Sequence, residues 1–404
     1  FELSSKSITS KSITFRAPEL KTDTKNGYSR LTFAEKGSTT DDGMPELPIF
    51  TSFFQMKPGV SYDVSYSVVS SYDVENIDIY PYQGELDSSI EKPFIKNTDF
   101  YNSNSNYPNK KLIVSEPMIM RDLEIGSVSL IPYNYNPESK TLTVYSEVKI
   151  DIIESGTREI STNLPQKRSR IFENLYEQLI VDYEPLSSRN EYQAESIMYI
   201  CGGGSATHPF VQELVEWRQK QGYIVYLIPK SEAGSSANEI KSYLQSVLQN
   251  FENPPEIVGL IGSSDGPYSL PSFYRYDYGG WNGGGGDTDV DYSYLSGDDF
   301  LPEVFIGRIS FNSFSDLVNV INKTLFYERA ANQEPWWFER AALVADPYDS
   351  GVSTITTMQY VQNIMENFGM DDIRINYGNG DYSNWVEGQF SDGILYYNYR
   401  GYYG

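Results

Sequence analysis

The sequence predicts an α/β fold with a mostly parallel sheet and helices on both faces, preceded by an all-β sandwich-like domain. Three observations carry that expectation. Residues 1–155 are built from short β-branched and aromatic runs broken by Gly, Pro, Asn and Asp. From residue 196 onward, continuous apolar runs alternate with segments of helical periodicity, the pattern of strands buried on both faces. The charge changes in the same region: residues 1–189 carry 20 basic and 27 acidic side chains, net −7, whereas residues 190–404 carry 11 and 28, net −17.

In the first domain, strands are expected at 12–15, 61–69, 111–115, 128–133 and 141–153. Asn136-Pro137-Glu138-Ser139-Lys140 reads as the turn between two of them. Thr141, Thr143 and Tyr145 alternate with Leu142, Val144 and Ser146, which suits a half-buried antiparallel strand. Residues 156–195 read as a connection. Phe172, Leu175, Tyr176 and Leu179 follow one another there at helical spacing, and Lys167-Arg168-Ser169-Arg170 is its basic cluster. Arg168, Arg170 and Arg189 are candidate sites for processing by a trypsin-like protease; a solvated linker is the plainer reading.

In the second domain, 196–404, strands are expected at 197–201, 224–228, 257–261, 304–309, 341–345 and 394–399. Helices are expected to start at Pro209, where proline is well tolerated, around Ile240–Leu248, and over 317–329 and 358–368, the last closed by Gly369. The chain reaches Gly404 directly after a strand. A buried parallel strand needs a crossover helix and a neighbour, so the fold is expected to continue past these residues.

The composition narrows the function. The 404 residues, at ~100–200 per domain, suit two or three domains. A net charge of −24 argues against nucleic acid or an anionic membrane as the main partner. No apolar run approaches the ~18 residues of a membrane-spanning helix. A single cysteine, Cys201, excludes an intrachain disulfide, and a single histidine, His208, excludes a cluster of histidine ligands within these residues. The chain begins at Phe1, which is expected if an upstream signal peptide has been removed.

Ligands of parallel sheets bind outside the carboxyl ends of the strands. Cys201 and His208 stand at such an end and would form a dyad only if the thiol left its apolar run. Cys201-Gly202-Gly203-Gly204-Ser205 lacks the spacing of a phosphate-binding loop and reads as a strand-to-helix turn. Asp287, Asp289, Asp291, Asp298 and Asp299 cluster on a glycine-rich loop that suits either calcium, which takes six to eight oxygens, or plain solvation. An EF-hand is excluded, since position 292 is Tyr and the twelfth position is Asp298. Asp346 ends a strand, where a carboxylate either orients a catalytic group or caps the loop.

Three stretches resemble the gingipain-type (C25) cysteine peptidases: Glu303-Val304-Phe305-Ile306-Gly307-Arg308-Ile309-Ser310 with the helix ending Tyr327-Glu328-Arg329; Asp392-Gly393-Ile394 through Asn398-Tyr399-Arg400-Gly401-Tyr402-Tyr403-Gly404; and Val258-Gly259-Leu260-Ile261-Gly262 followed by Pro271. Tyr183-Glu184-Pro185 resembles the junction of that family's propeptide and catalytic domain, and Gly43-x-Pro45-x-Leu47-Pro48 its propeptide. The resemblance implies a caspase-like α/β fold behind a propeptide-type β domain. It implies a cysteine endopeptidase, or its zymogen, that cleaves protein or peptide substrates. It puts Asp346 at the acidic position that orients the catalytic histidine, Tyr402 at the histidine position, and the nucleophilic cysteine beyond residue 404. It further implies secretion to a bacterial surface by the type IX route with its attachment machinery, and calcium as a bound ion; no organic cofactor is expected. Tyrosine titrates near ~10, against ~6.5 for histidine, so Tyr402 is a poor general base at neutral pH. A catalytically inactive relative serving adhesion or as a scaffold for surface partner proteins is therefore the alternative.

Overall fold

A computed structural model describes residues 1–32, 37–84, 93–159, 164–165, 167–276, 285–329, 336–348 and 353–401. These form two compact units. One comprises Phe1–Tyr82 with Lys96–Leu325, the other Gln83–Ile95 with Phe326–Gly404.

The expected β sandwich occupies the start of the first unit. One five-stranded antiparallel sheet orders Glu2–Lys6, Ser10–Arg16, Thr141–Thr157 and Tyr133–Asn136, with Val60–Val74 also paired to Thr141–Thr157. The other orders Gly37–Ser38, Pro48–Met56, Leu123–Leu130 and Leu112–Val114, with Met118–Met120 also paired to Leu123–Leu130. Alternation along each strand sends one face inward. Ile13, Phe15, Val148 and Ile150 from the first sheet meet Phe50, Phe54, Val128 and Leu130 from the second in one core. The sheets thus bury each other's apolar faces, as a sandwich requires.

Residues 167–192 depart from the expected solvated connection. Glu173–Leu179 is helical, and Phe172 and Tyr176 are fully buried against Met120, Leu123 and Ile125 of the second β sheet. The helical spacing of Phe172, Leu175 and Tyr176 creates an apolar stripe, and the sheet's outer face covers it.

The first unit continues into a four-stranded parallel sheet ordered Ile224–Pro229, Ser196–Cys201, Ile257–Ile261, Phe305–Ile309. Alternate residues of Ser196–Cys201 face opposite cores. Met198 and Ile200 pack with Ile240, Leu244 and Leu248 of the helix Ala237–Asn250. Ile197, Tyr199 and Cys201 pack with Pro209–Lys220 and Phe314–Glu328. Helices therefore cover both faces, as the continuous apolar strands predicted.

The remaining parallel strands form a separate sheet in the second unit, ordered Asp372–Tyr377, Arg340–Ala345, Tyr396–Arg400. The helix Ser353–Phe368 packs Met358 on Leu343 and Ala345. The strand Asp372–Tyr377 and the helix Tyr382–Asp392 add to the elements expected from sequence.

Candidate active site

Asp346 follows the fully buried run Ala341–Ala345 and so stands at the carboxyl edge of the second sheet. Its backbone N–H donates to the Arg400 carbonyl at 2.9 Å, which ties it to the end of the neighbouring strand. Its carboxylate is well furnished. Oδ1 accepts from the Tyr348 N–H at 2.9 Å and from the Tyr382 hydroxyl at 3.3 Å, and the carboxylate also acts on the Tyr399 hydroxyl. Burial, and then this carboxylate, push the Tyr382 and Tyr399 hydroxyls above their ordinary pKa, so both remain donors. Gly401 passes so close that a Cβ there would lie 2.6 Å from Asp346 Cβ and 2.6 Å from Tyr399 Oη. A glycine is required at that crossing. The strand end Tyr399-Arg400-Gly401 and Asp346 are therefore adjacent, and Tyr402, the next residue, lies outside the described residues.

The other candidates are used differently. Cys201 is fully buried, and burial pushes its thiol up to about 12, with a hydrogen bond to Ser205 opposing weakly. His208 caps the helix Pro209–Lys220 by accepting the Phe210 N–H at Nδ1, 3.3 Å, and its ring lies 4.6 Å from that of Phe314. No hydrogen bond joins the pair among the described residues. The turn after Cys201 is filled rather than open: a Cβ on Gly202 would lie 2.0 Å from the Tyr268 carbonyl oxygen, and one on Gly262 2.2 Å from the same atom. The glycines serve that close backbone crossing, which leaves no cradle for phosphate.

Among the described residues, several carboxylates of the acidic loop have protein partners. Asp289 takes two hydrogen bonds of 2.7 Å from Arg308, and Asp291 takes bonds of 2.8 and 2.7 Å from Arg275. Asp287 accepts from the Ser272 hydroxyl at 3.1 Å, and Asp299 from the backbone N–H groups of Ile119 and Leu301 at 2.9 and 2.8 Å. Fixed guanidinium groups thus neutralise the two central carboxylates. Among the described residues, Asp298 included, no three His, Cys, Asp or Glu side chains converge on a possible metal site.

The three arginines of the connection differ sharply. Arg168 is held by a backbone bridge to Tyr192 and by Asp122 at 3.6 Å, and its guanidinium lies 5.6 Å from the Tyr183 ring centre. Arg170 is exposed over the Tyr192 ring at 5.2 Å. Arg189 is exposed at the start of the short turn Arg189–Glu191 and lines an open groove with Lys167, Arg170 and Glu252. Of the three, Arg189 is the least restrained.

The model of peptidase family C25 matches residues 192–404, and that of the C25 propeptide matches residues 2–189. This chain belongs to peptidase family C25. The boundary between the two matched regions falls at the exposed Arg189 turn. Gingipain R1 of Porphyromonas gingivalis is 26% identical over 408 residues, covering 96% of this chain and 40% of that protein. Gingipain R2 of strain W83 is 26% identical over 394 residues, covering 94% of this chain and 52% of that protein. The chain thus spans about half or less of the length of these curated relatives. Among solved structures, the complex of the P. gingivalis RgpB pro- and mature domains is 26% identical, with a TM-score of 0.38, covering 45% of this chain and 97% of that one.

Sequence reasoning found Asp346 but missed Tyr382, which lies 36 residues further on and is delivered by the fold. Tyr399 lay inside a quoted motif, with its role unread.

Proposed function

We propose that the chain is the front of a secreted bacterial C25 cysteine endopeptidase zymogen, a propeptide followed by the first part of a catalytic domain, with its nucleophilic cysteine following residue 404. The observation that carries this reading is the contact between Asp346 and the strand end Tyr399-Arg400-Gly401, because the family's acid and its histidine turn must meet there. In the proposed reaction the thiolate sulphur attacks the scissile carbonyl carbon, the amine leaves with a proton from the general acid, and water then hydrolyses the thioester to a carboxylic acid and the free thiol. Asp346 would orient the proton-carrying group. Type IX export, surface attachment and protein substrates belong to the same proposal.

Tyr402 favours a second reading, an inactive relative that serves as a surface scaffold. Loss of a general base costs ~10²–10⁴-fold in rate. The test takes the protein in its natural full-length form with Cys201→Ala, cut at Arg189 and treated with a peptidyl thiol-reactive probe, alongside the same protein carrying Tyr402→His. A probe adduct and peptide hydrolysis that rise in the histidine variant support a peptidase with an intact remaining site. No adduct and no hydrolysis of a broad peptide library by either protein support the scaffold.

A further inference from the structure

The first unit contains a buried polar cluster that the Asp346 site does not use. Arg121 and Asp122 form the tight turn between the antiparallel strands Met118–Met120 and Leu123–Leu130. Arg121 takes a φ of 53°, in the left-handed region that a non-glycine residue seldom occupies. It is nevertheless fully buried. Its guanidinium donates to the carbonyls of Pro255 at 3.0 Å, Glu303 at 2.6 Å and Pro254 at 2.9 Å, and to Gln193 Oε1 at 3.1 Å. The Phe172 ring lies 5.4 Å from its carbon centre.

All four acceptors lie on the far side of the Arg189 turn in the sequence. Gln193, Pro254, Pro255 and Glu303 each precede a strand of the four-stranded parallel sheet, so Arg121 is inserted at the amino edge of that sheet. Gly202 and Gly262, at the carboxyl ends, are left clear of it. Neighbouring contacts run the same way. The Ile119 N–H donates to Asp299 at 2.9 Å, the Ser169 hydroxyl bonds to the fully buried Glu256, and the Phe172 and Phe305 rings lie 4.5 Å apart. A guanidinium presents a rigid fork of donors, so it suits several fixed carbonyls in a way that a lysine would not. Separation takes this donor from the Pro255 and Glu303 carbonyls and from the Gln193 amide oxygen, while the Pro254 carbonyl keeps the Gln193 amide and the Ser196 hydroxyl; the guanidinium gives up all its protein acceptors at once.

We propose that Arg121 is the fastener that keeps residues 1–189 bound to the α/β region after the chain is cut at the Arg189 turn, with this buried pocket as the interaction surface and the severed N-terminal domain as its partner. Cutting the chain and releasing the domain are then separate events. The cut removes a tether from the surface, whereas release must pull a charged side chain out of a closed pocket.

The inference rests on the zymogen reading for the position of the cut, and its test reads association alone, so loss or absence of peptidase activity does not affect it. A full-length chain with a site-specific protease sequence in place of 186–189 is cut and passed through gel filtration at decreasing concentration. The cut protein is expected to elute as one species of uncut size. Arg121→Met, shown by cooperative unfolding to be folded before cutting, is expected to separate after cutting, with a dissociation constant raised roughly 10²-fold or more. Should Arg121→Met fail to fold, Gln193→Ala, which removes one acceptor from the opposite side, is expected to raise the constant roughly 10-fold. Separation of the cut parent protein at micromolar concentration overturns the proposal. So does a folded Arg121→Met, or the Gln193→Ala replacement, that binds as tightly as the parent.

Discussion

At the scale of single residues, the chemistry is decided by what surrounds each group. Cys201 is a thiol with no access to solvent and a pKa pushed up to about 12, so it stays protonated and unreactive near neutral pH. We expect Ellman's reagent to leave it unmodified in the native chain and to titrate one thiol after unfolding. Rapid native labelling would contradict the burial. Asp346 is the opposite case, a carboxylate held by the Tyr382 hydroxyl and a backbone N–H at the edge of a sheet. In any active form of the natural protein, Asp346→Ala is expected to lower kcat/KM by roughly 10²-fold or more with intact secondary structure, as loss of an orienting acid does. An unchanged kcat/KM would remove Asp346 from the mechanism. Its position was legible because a strand of small apolar residues ends in an acid. Its tyrosine partners were not, since nothing local links positions 346, 382 and 399.

Among the elements, what the sequence concealed is mostly what each element packs against. The run Ala341–Ala345 announces a buried strand, whereas Asp372–Tyr377 mixes Asp, Arg and Asn with its apolar residues and gives a weak signal even though it pairs along its whole length. The helix Glu173–Leu179 shows the same gap. Its stripe was visible, but the sheet face that buries Phe172 and Tyr176 was not. Phe172→Ala is expected to destabilise the chain by about 3–5 kcal/mol, the usual cost of emptying a buried aromatic site. A change below ~1 kcal/mol in urea unfolding would mean that the helix is a loose linker after all. The acidic loop was legible as charge and illegible as geometry. Arg308, on the strand Phe305–Ile309, grips Asp289 and also donates to the Gly262 and Leu270 carbonyls at 2.9 and 2.8 Å. Asp289→Ala removes the charged half of that anchor, and we expect a loss of about 1–3 kcal/mol by the same measurement.

For the molecule as a whole, the buried carboxylates at the base of the first parallel sheet set a pH dependence whose sign can be worked out. Burial raises Glu303 from 4.5 to about 8, against the Leu295 and Ser296 N–H groups that favour its charged form and with Asp299 adding repulsion. Burial also raises Glu256, opposed first by the Ser169 hydroxyl and then by Arg121, and Asp122, opposed first by the Tyr176 hydroxyl and then by Arg168. A carboxyl whose folded pKa exceeds its unfolded value contributes stability that is fully present below the unfolded pKa and is lost as pH rises through the folded one. Groups shifted the other way, such as Glu239, lowered to about 2 by the Ser235 and Ser236 donors, lose their contribution only in acid, below the window in question. Urea stability is therefore expected to fall between pH 5 and about 8.5, by an amount on the order of a few kcal/mol if Glu303 dominates. Glu303→Gln keeps an acceptor for both N–H groups and removes the titration, so it should flatten most of that slope. A stability that holds level or rises across the window would show that these carboxylates are ionised in the folded chain, and a slope that survives Glu303→Gln unchanged would assign it to groups other than Glu303. The same carboxyls lie near the Arg121 guanidinium, so their ionisation adds negative charge beside it.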